Sequence, residues 1–333
     1  MRSIVQRLRT LFVEELNIFS AFCRRKRGGL HIDWNHDLKN SVFVAGSGRA
    51  GTTWLAEIVN ADNSFRDIFE PFNPTKVPLV KHFHRRQYLR PTDDDPRYLE
   101  PARAVFSGML RSDWTDQLNR RIFCSKRLIK EIRTNLMLKW IRDHFPEMPI
   151  VFLLRHPCAV AISRLAKGWN SFYGLKDLLS QDLLIWDHLK PFMPIITADR
   201  SDFEQHVLVW CIENYVPVRT LHKNDALVVF YENLCLQPET EVKRLADYLK
   251  VQCPELMMRR VSVPSSQARK GESAIVLGEN LVSSWKNAVN QDMLDQAHSL
   301  LTLFGLERFY GRDPLPLLDS NDVLSGDFNP SLT

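Results

Sequence analysis

The sequence predicts an α/β protein with a P-loop-like, three-layer α/β/α fold around a mainly parallel central sheet. Two observations carry this expectation. Short apolar runs near 41–46, 67–70, 122–126, 149–154 and 226–231 alternate with stretches of helical periodicity, and strands that read as continuous apolar runs belong in sheets covered on both faces. The first run also enters a glycine-rich turn that opens directly into a helical pattern, the arrangement that builds an anion site at the carboxyl end of a strand. The 333 residues are enough for a sizeable core. Their 44 Lys and Arg against 39 Asp and Glu leave a net charge of +5. That modest excess suits a polyanionic small molecule and, with no dense basic stripe, argues against a nucleic-acid partner.

Taken in order, residues 1–40 form a lead-in. Ile4, Leu8, Leu11, Phe12, Leu16, Phe19 and Phe22 recur at helical spacing and the run ends in Arg24-Arg-Lys-Arg27. An amphipathic helix docked on the protein's own core is expected, with peripheral contact of residues 1–27 with an anionic membrane as the alternative. No apolar run is long enough to span a bilayer, and no signal-peptide pattern is present. The six cysteines (Cys23, Cys124, Cys158, Cys211, Cys235, Cys253) show no paired spacing, so neither zinc nor a disulfide framework is expected, and a reducing, cytoplasmic compartment is the simplest reading. The main domain is expected over 41–310, and a loosely ordered tail over 311–333.

That domain opens with Ser41-Val-Phe-Val-Ala-Gly46 and the turn Ser47-Gly-Arg49-Ala50-Gly51 before Thr52-Thr53-Trp54. The glycines free backbone N–H groups to face an anion at the positive end of the next helix. Gly46 and Gly51 have the spacing of the nucleoside-triphosphate loop, but Thr52 stands where that loop needs Lys, which disfavours ATP or GTP hydrolysis. A second strand ends in Ile68-Phe69-Glu70-Pro71. Residues 74–121, rich in Pro, Arg and Asp, read as an insertion. The apolar run Pro149–Leu154 leads into Arg155-His-Pro157 and a helix carrying Ser163, with Pro157 in its first turn. The strand Val228–Phe230 ends in Tyr231-Glu232. Ala268-Arg269-Lys270-Gly271 precedes Ser284-Trp285-Lys286-Asn287 across a stretch, 262–284, that reads as a lid.

These motifs, in this order, resemble those of sulfotransferases that use 3′-phosphoadenosine 5′-phosphosulfate (PAPS). Gly48-Arg49-Ala50-Gly51-Thr52-Thr53-Trp54 resembles the 5′-phosphosulfate loop, which usually reads Pro-Lys-Ser-Gly-Thr-Thr-Trp. Arg49 keeps the charge of the Lys but as a planar fork, and Ala50 lacks the hydroxyl of Ser. By the same resemblance Arg155 and Ser163 bind the 3′-phosphate, Arg269, Lys270 and Gly271 grip it as well, and Tyr231 lies near the adenine. No metal is implied. The expected activity is in-line transfer of the sulfuryl group to an acceptor hydroxyl on a sugar, glycolipid or other small molecule, and residues 74–121 would help build the acceptor pocket. Two alternatives are a PAPS-binding protein that has lost catalysis and a nucleotide-dependent phosphotransferase.

Such a transfer needs a base for the acceptor proton and cations for the departing oxygen. Arg49 covers the leaving side. Arg127-Leu-Ile-Lys130-Glu131-Ile132 resembles the cytosolic Arg-Leu-Ile-Lys-Thr-His, so Lys130 is retained to contact the sulfuryl group, but Ile132 replaces the basic His. Glu70 is the preferred substitute, since it resembles the Glu that many carbohydrate sulfotransferases carry at the end of the second strand. Glu131, next to Lys130 on a strand, is expected to face away from the site. His82 and His84 are fallback bases. Trp169, Phe172, Tyr173 and Trp186 read as core packing, with an aromatic wall for a sugar or lipid as the alternative.

Overall fold

The structure is a computed structural model that describes residues 31–267 and 280–324, without the side chains of 171–173. The expected N-terminal helix, Arg269, Lys270, Gly271, and the Phe172 and Tyr173 side chains lie outside that description. The strands are β1 (Ile32–Asp33), β2 (Ser41–Gly46), β3 (Arg66–Phe69), β4 (Phe123–Cys124), β5 (Arg127–Glu131), β6 (Ile150–Leu154) and β7 (Leu227–Phe230). The main helices are α1 (Thr52–Val59), α2 (Pro96–Phe106), α3 (Leu138–His144), α4 (Pro157–Leu165), α5 (Ser171–Leu179), α6 (Asp202–Thr220), α7 (Tyr231–Leu236), α8 (Pro238–Leu249), α9 (Pro254–Val261) and α10 (Gln291–Leu303).

Five strands form one parallel sheet in the order β3-β5-β2-β6-β7, while β1 and β4 pair in a separate two-stranded ribbon. Every residue of β2, β5 and β6 is buried, so the sheet is covered on both faces as its apolar runs required. From β2 the chain moves to β3, returns to β5, then crosses to β6 and β7 on the other side. The carboxyl end of β2 is therefore the switch point where α/β sheets open a crevice for ligands.

One expectation is corrected, and two further segments can be described. The run near 122–126 yields only the short β4; the strand that joins the sheet is 127–131, whose charged residues hid it. Arg127 is fully buried, with its guanidinium bonded to the Ser41 hydroxyl at 2.8 Å and to Asp33 at 3.1 Å. Residues 74–121 are the crossover from β3 to its parallel neighbour β5, and they bury Phe83, Tyr88, Leu89, Val105 and Phe106 in the core. Beyond Gly311 the chain stays packed as far as Leu324: Tyr310 pairs with Pro316, and Val323 and Leu324 are buried apolar contacts that tie this stretch down.

Candidate active site

β2 delivers the chain to Gly46, and the turn to α1 follows at the switch point. Gly51 precedes α1 with φ of +104°, and a Cβ there would lie 2.8 Å from the Tyr231 ring. At Gly48 a Cβ would lie 2.8 Å from Trp169. The loop thus runs between two aromatic rings where only glycine passes. Three side chains from different elements hold it, two of them by its backbone carbonyls. Asn214 of α6 donates to the Ser47 hydroxyl at 3.1 Å, Arg164 of α4 to the Gly48 carbonyl at 3.1 Å, and Arg155 after β6 to the Arg49 carbonyl at 3.2 Å. The first N–H groups of α1, at Thr52, Thr53 and Trp54, are the ones a helix leaves without an internal partner. They begin where this pinned loop ends.

Arg155 lies with its guanidinium 4.1 Å over the Tyr231 ring, and Trp54 packs on the same ring at a centroid distance of 5.3 Å. Arg49 donates from Nε to the Ser163 hydroxyl at 3.0 Å. The structure therefore brings Arg49, Gly51, Trp54, Arg155, Ser163 and Tyr231 into one cluster, although they come from three separate segments. Neither Arg49 nor Arg155 has a carboxylate partner within ion-pair distance among the described residues. Burial, and then the Arg155 charge, lower the pKa of Arg49. Two neighbouring guanidiniums, neither ion-paired to a described acid, with a hydroxyl and a helix start make a cradle for a multiply charged anion. Trp285 stacks on His156, next to Arg155, at 4.3 Å. Burial pushes the His156 pKa down to about 3, so this ring packs as a neutral group.

The second cluster stands at the ends of β3 and β5. Glu70 accepts from Lys130 Nζ at 2.6 Å and from Arg133 Nη1 at 2.7 Å. Burial raises the Glu70 pKa, but Lys130 and Arg133 outweigh it and hold the carboxyl below its ordinary 4.5. Its backbone is strained as well. Of the non-glycine residues at positive φ, Asn63 and Asn224 tolerate that region and Lys250 caps a helix. That leaves Arg49 (φ 78°) and Glu70 (φ 44°), both sequence candidates, in a conformation kept only where the surroundings impose it.

Glu131 corrects the expectation that it faces away. Its carboxylate is fully buried at the strand end, accepting from the Phe72 N–H at 2.7 Å and the Ile132 N–H at 2.8 Å, and it shares Arg133 with Glu70. The face opposite Lys130 is covered like the rest of β5, so alternation sends Glu131 into the protein and its backbone bonds curl it toward the strand end. Burial raises its pKa despite Arg133. His82 donates from Nε2 to the Arg97 carbonyl at 2.7 Å, and His84 sits by Asp177; neither histidine touches Glu70, Lys130 or the loop. Trp186 is exposed, with Lys190 over its ring at 4.2 Å, so it is not core.

Sequence reasoning missed Arg133, Arg86 and Glu213. Behind the loop, the buried Glu213 of α6 accepts from Arg164 at 2.7 Å and from Arg86. Its only sequence signal is an acid inside an otherwise apolar helix. Among the described residues no group of three or more His, Cys, Asp or Glu is arranged to hold a metal ion.

The profile of the sulfotransferase family matches residues 41–255. No curated protein sequence matches the chain. Solved structures similar to it include the sulfotransferase domain from the curacin biosynthetic pathway, at 13% identity and a TM-score of 0.42 over 79% of this chain and 96% of that one. The sulfotransferase domain from the Synechococcus PCC 7002 olefin synthase is 15% identical, with a TM-score of 0.42 over 78% and 94%. Retinol dehydratase, solved with androsterone and the inactive cofactor PAP, is 16% identical, with a TM-score of 0.35 over 83% and 82%. The family match runs from β2 through β7 and takes in both clusters: the chain belongs to the sulfotransferase family, enzymes that move the sulfuryl group of PAPS to an acceptor.

Proposed function

We propose that this enzyme sulfates an aliphatic hydroxyl, on a sugar, a glycolipid or another alcohol, with Glu70 as the base and Lys130 and Arg49 as the cations at the reacting group. One observation supports this above the others: a strained Glu70, bonded to Lys130 and Arg133, lies at the ends of β3 and β5, and Ile132, the residue before Arg133, lies against Gly48 of the loop that carries Arg49. Bound PAPS supplies the sulfuryl group and a leaving bisphosphate. Arg155 and Ser163 would hold its 3′-phosphate end, with Arg269, Lys270 and Gly271 assigned there too, while Arg49 stays with the 5′-phosphosulfate. Ala50, Gly51, Thr52 and Thr53 would hold its 5′ end through their backbone N–H groups. Trp54 and Tyr231 would flank the adenine, the two rings already packed together.

Within this reading Glu70 takes the acceptor's hydroxyl proton on a carboxylate oxygen. Lys130 and Arg133 keep that carboxyl ionised, and Lys130 is the charge nearest the transferred group. Ile132 cannot serve as a base, which is why the role falls to Glu70. The five described cysteines, Cys124, Cys158, Cys211, Cys235 and Cys253, are all free, which supports a cytoplasmic setting, with residues 1–27 assigned at most a peripheral membrane contact. The test is Glu70→Gln. Loss of a general base costs about 10²–10⁴ in turnover, so kcat should fall at least about a hundredfold while affinity for 3′,5′-bisphosphoadenosine (PAP) changes less than about threefold. Full turnover in this variant would rule Glu70 out as the base.

A further inference from the structure

Beside the phosphosulfate loop lies a cavity of about 140 Å³ whose lining includes Arg85, Arg86, Arg164, Trp169, Gly174 and His206. It borders the loop through Trp169, the ring that excludes a side chain at Gly48. Its charges are not balanced. Glu213 is shared by Arg86 and Arg164, and Glu70 and Glu131 are taken by Lys130 and Arg133. Asp177 spends its two carboxylate oxygens on the backbone N–H groups of Arg85 and Arg86. The Arg85 guanidinium is left with no hydrogen-bonded or ion-paired partner among the described residues. Arg164, itself almost wholly buried, has a second unsatisfied group: its Nη1 donor finds no acceptor. That nitrogen is closed off from solvent, so it adds positive charge behind the cavity wall rather than a contact for a ligand.

The cavity adjoins the base through the loop. A Cβ built at Gly48 would meet both Trp169, which lines the cavity, and Ile132 at 3.3 Å, and Ile132 directly precedes Arg133, which is bonded to Glu70. The donor's own phosphates have their cradle elsewhere, at Arg49, Ser163 and Arg155.

We infer that the cavity takes an anionic group carried by the acceptor, so that the preferred substrate is an alcohol bearing a carboxylate, phosphate or sulfate close to the hydroxyl that is sulfated, with Arg85 as the specificity-determining residue and Arg86 beside it in the lining. This rests on the acceptor side lying at Glu70, as proposed above. Arg133 and Lys130 would then stay with Glu70, and the anion would neutralise the charge that Glu213 and Asp177 leave over. Trp169 would form the apolar wall between anion and loop.

The test is calorimetric binding to the PAP-saturated full chain, which reports on the cavity whether or not turnover occurs. The probes are methyl glucuronide and glucose 6-phosphate, each compared with its neutral partner, methyl glucoside or glucose; the two arms separate a carboxylate from a phosphate preference. The wild-type protein should bind at least one anionic probe about tenfold or more tightly than its neutral partner. Arg85→Gln, at an exposed position where folding is not at stake, should erase that preference while leaving PAP affinity within about twofold. Equal affinity for charged and neutral probes, no binding of either anionic probe, or a preference that survives Arg85→Gln would each overturn the inference. Failure of the proposed base would appear separately, as full turnover by Glu70→Gln.

Discussion

Replacing Glu213 with Gln removes the one negative charge between two buried guanidiniums, Arg86 and Arg164, and Arg164 in turn holds the Gly48 carbonyl of the phosphosulfate loop. Burial alone would raise the Glu213 pKa, but Arg164 and then Arg86 bring it down to about 2 from an ordinary 4.5. At about 1.4 kcal/mol per pH unit, that depression corresponds to about 3 kcal/mol of native-state stabilisation. An independent route agrees, since removing one partner of a buried ion pair costs about 3–5 kcal/mol. The sign follows from the direction of the shift. A depressed carboxyl stabilises fully above its unfolded pKa, and its contribution is lost as pH falls from 4.5 toward 2. Urea unfolding at about pH 7 should therefore show Glu213→Gln destabilised by about 3 kcal/mol or more. Repeated at about pH 3, the same experiment should show a smaller gap between variant and wild type. A loss below about 1 kcal/mol at neutral pH, or a gap that does not narrow in acid, would refute the reasoning.

Two further outcomes follow from the geometry. The Glu70 pKa is held below 4.5, so the acid limb of the kcat/KM profile should lie below that value and the rate should be flat from about pH 6 to 8 on that side; an acid limb near 6.5, the range of histidine, would point to a different base. Gly51→Ala puts a methyl 2.8 Å from the Tyr231 ring at a φ of +104°, which should cost about 1–3 kcal/mol in strain and weaken PAP binding, measured by thermal unfolding and calorimetry; wild-type values for both would show that Tyr231 does not pack on the loop.

The parts of the fold that were legible are those in which apolar patterning and backbone demands coincide. Val42, Phe43 and Val44, or Ile150 to Leu154, read as buried strands because nothing polar interrupts them, and Gly48 and Gly51 announce a turn because no other residue passes between Trp169 and Tyr231. β5 was blurred for the opposite reason. Arg127, Lys130 and Glu131 look like surface residues until Asp33, Glu70 and Arg133, each remote in sequence, neutralise them. The site divides the same way. The cradle could be assembled from motifs because Arg49, Arg155 and Tyr231 each follow the end of a strand and Ser163 lies on the helix that leaves β6, where the fold itself dictates convergence. Arg133 and Glu213 carry no motif, and the charge balance that gives them meaning exists only once β3, β5 and α6 are packed. Glu131 was misdirected by strand alternation, which says which face a side chain leaves from but not whether that face is wet.

The central claim is that Arg155 and Ser163 hold the 3′-phosphate of the donor. Calorimetry on the wild-type protein with PAP and with adenosine 5′-monophosphate, which lacks that phosphate, tests it directly. Two charge-assisted contacts at about 1.5–3 kcal/mol each predict that PAP binds at least about a hundredfold tighter, and that Arg155→Ala removes most of the difference. Equal affinity for the two nucleotides in the wild-type protein would contradict the account.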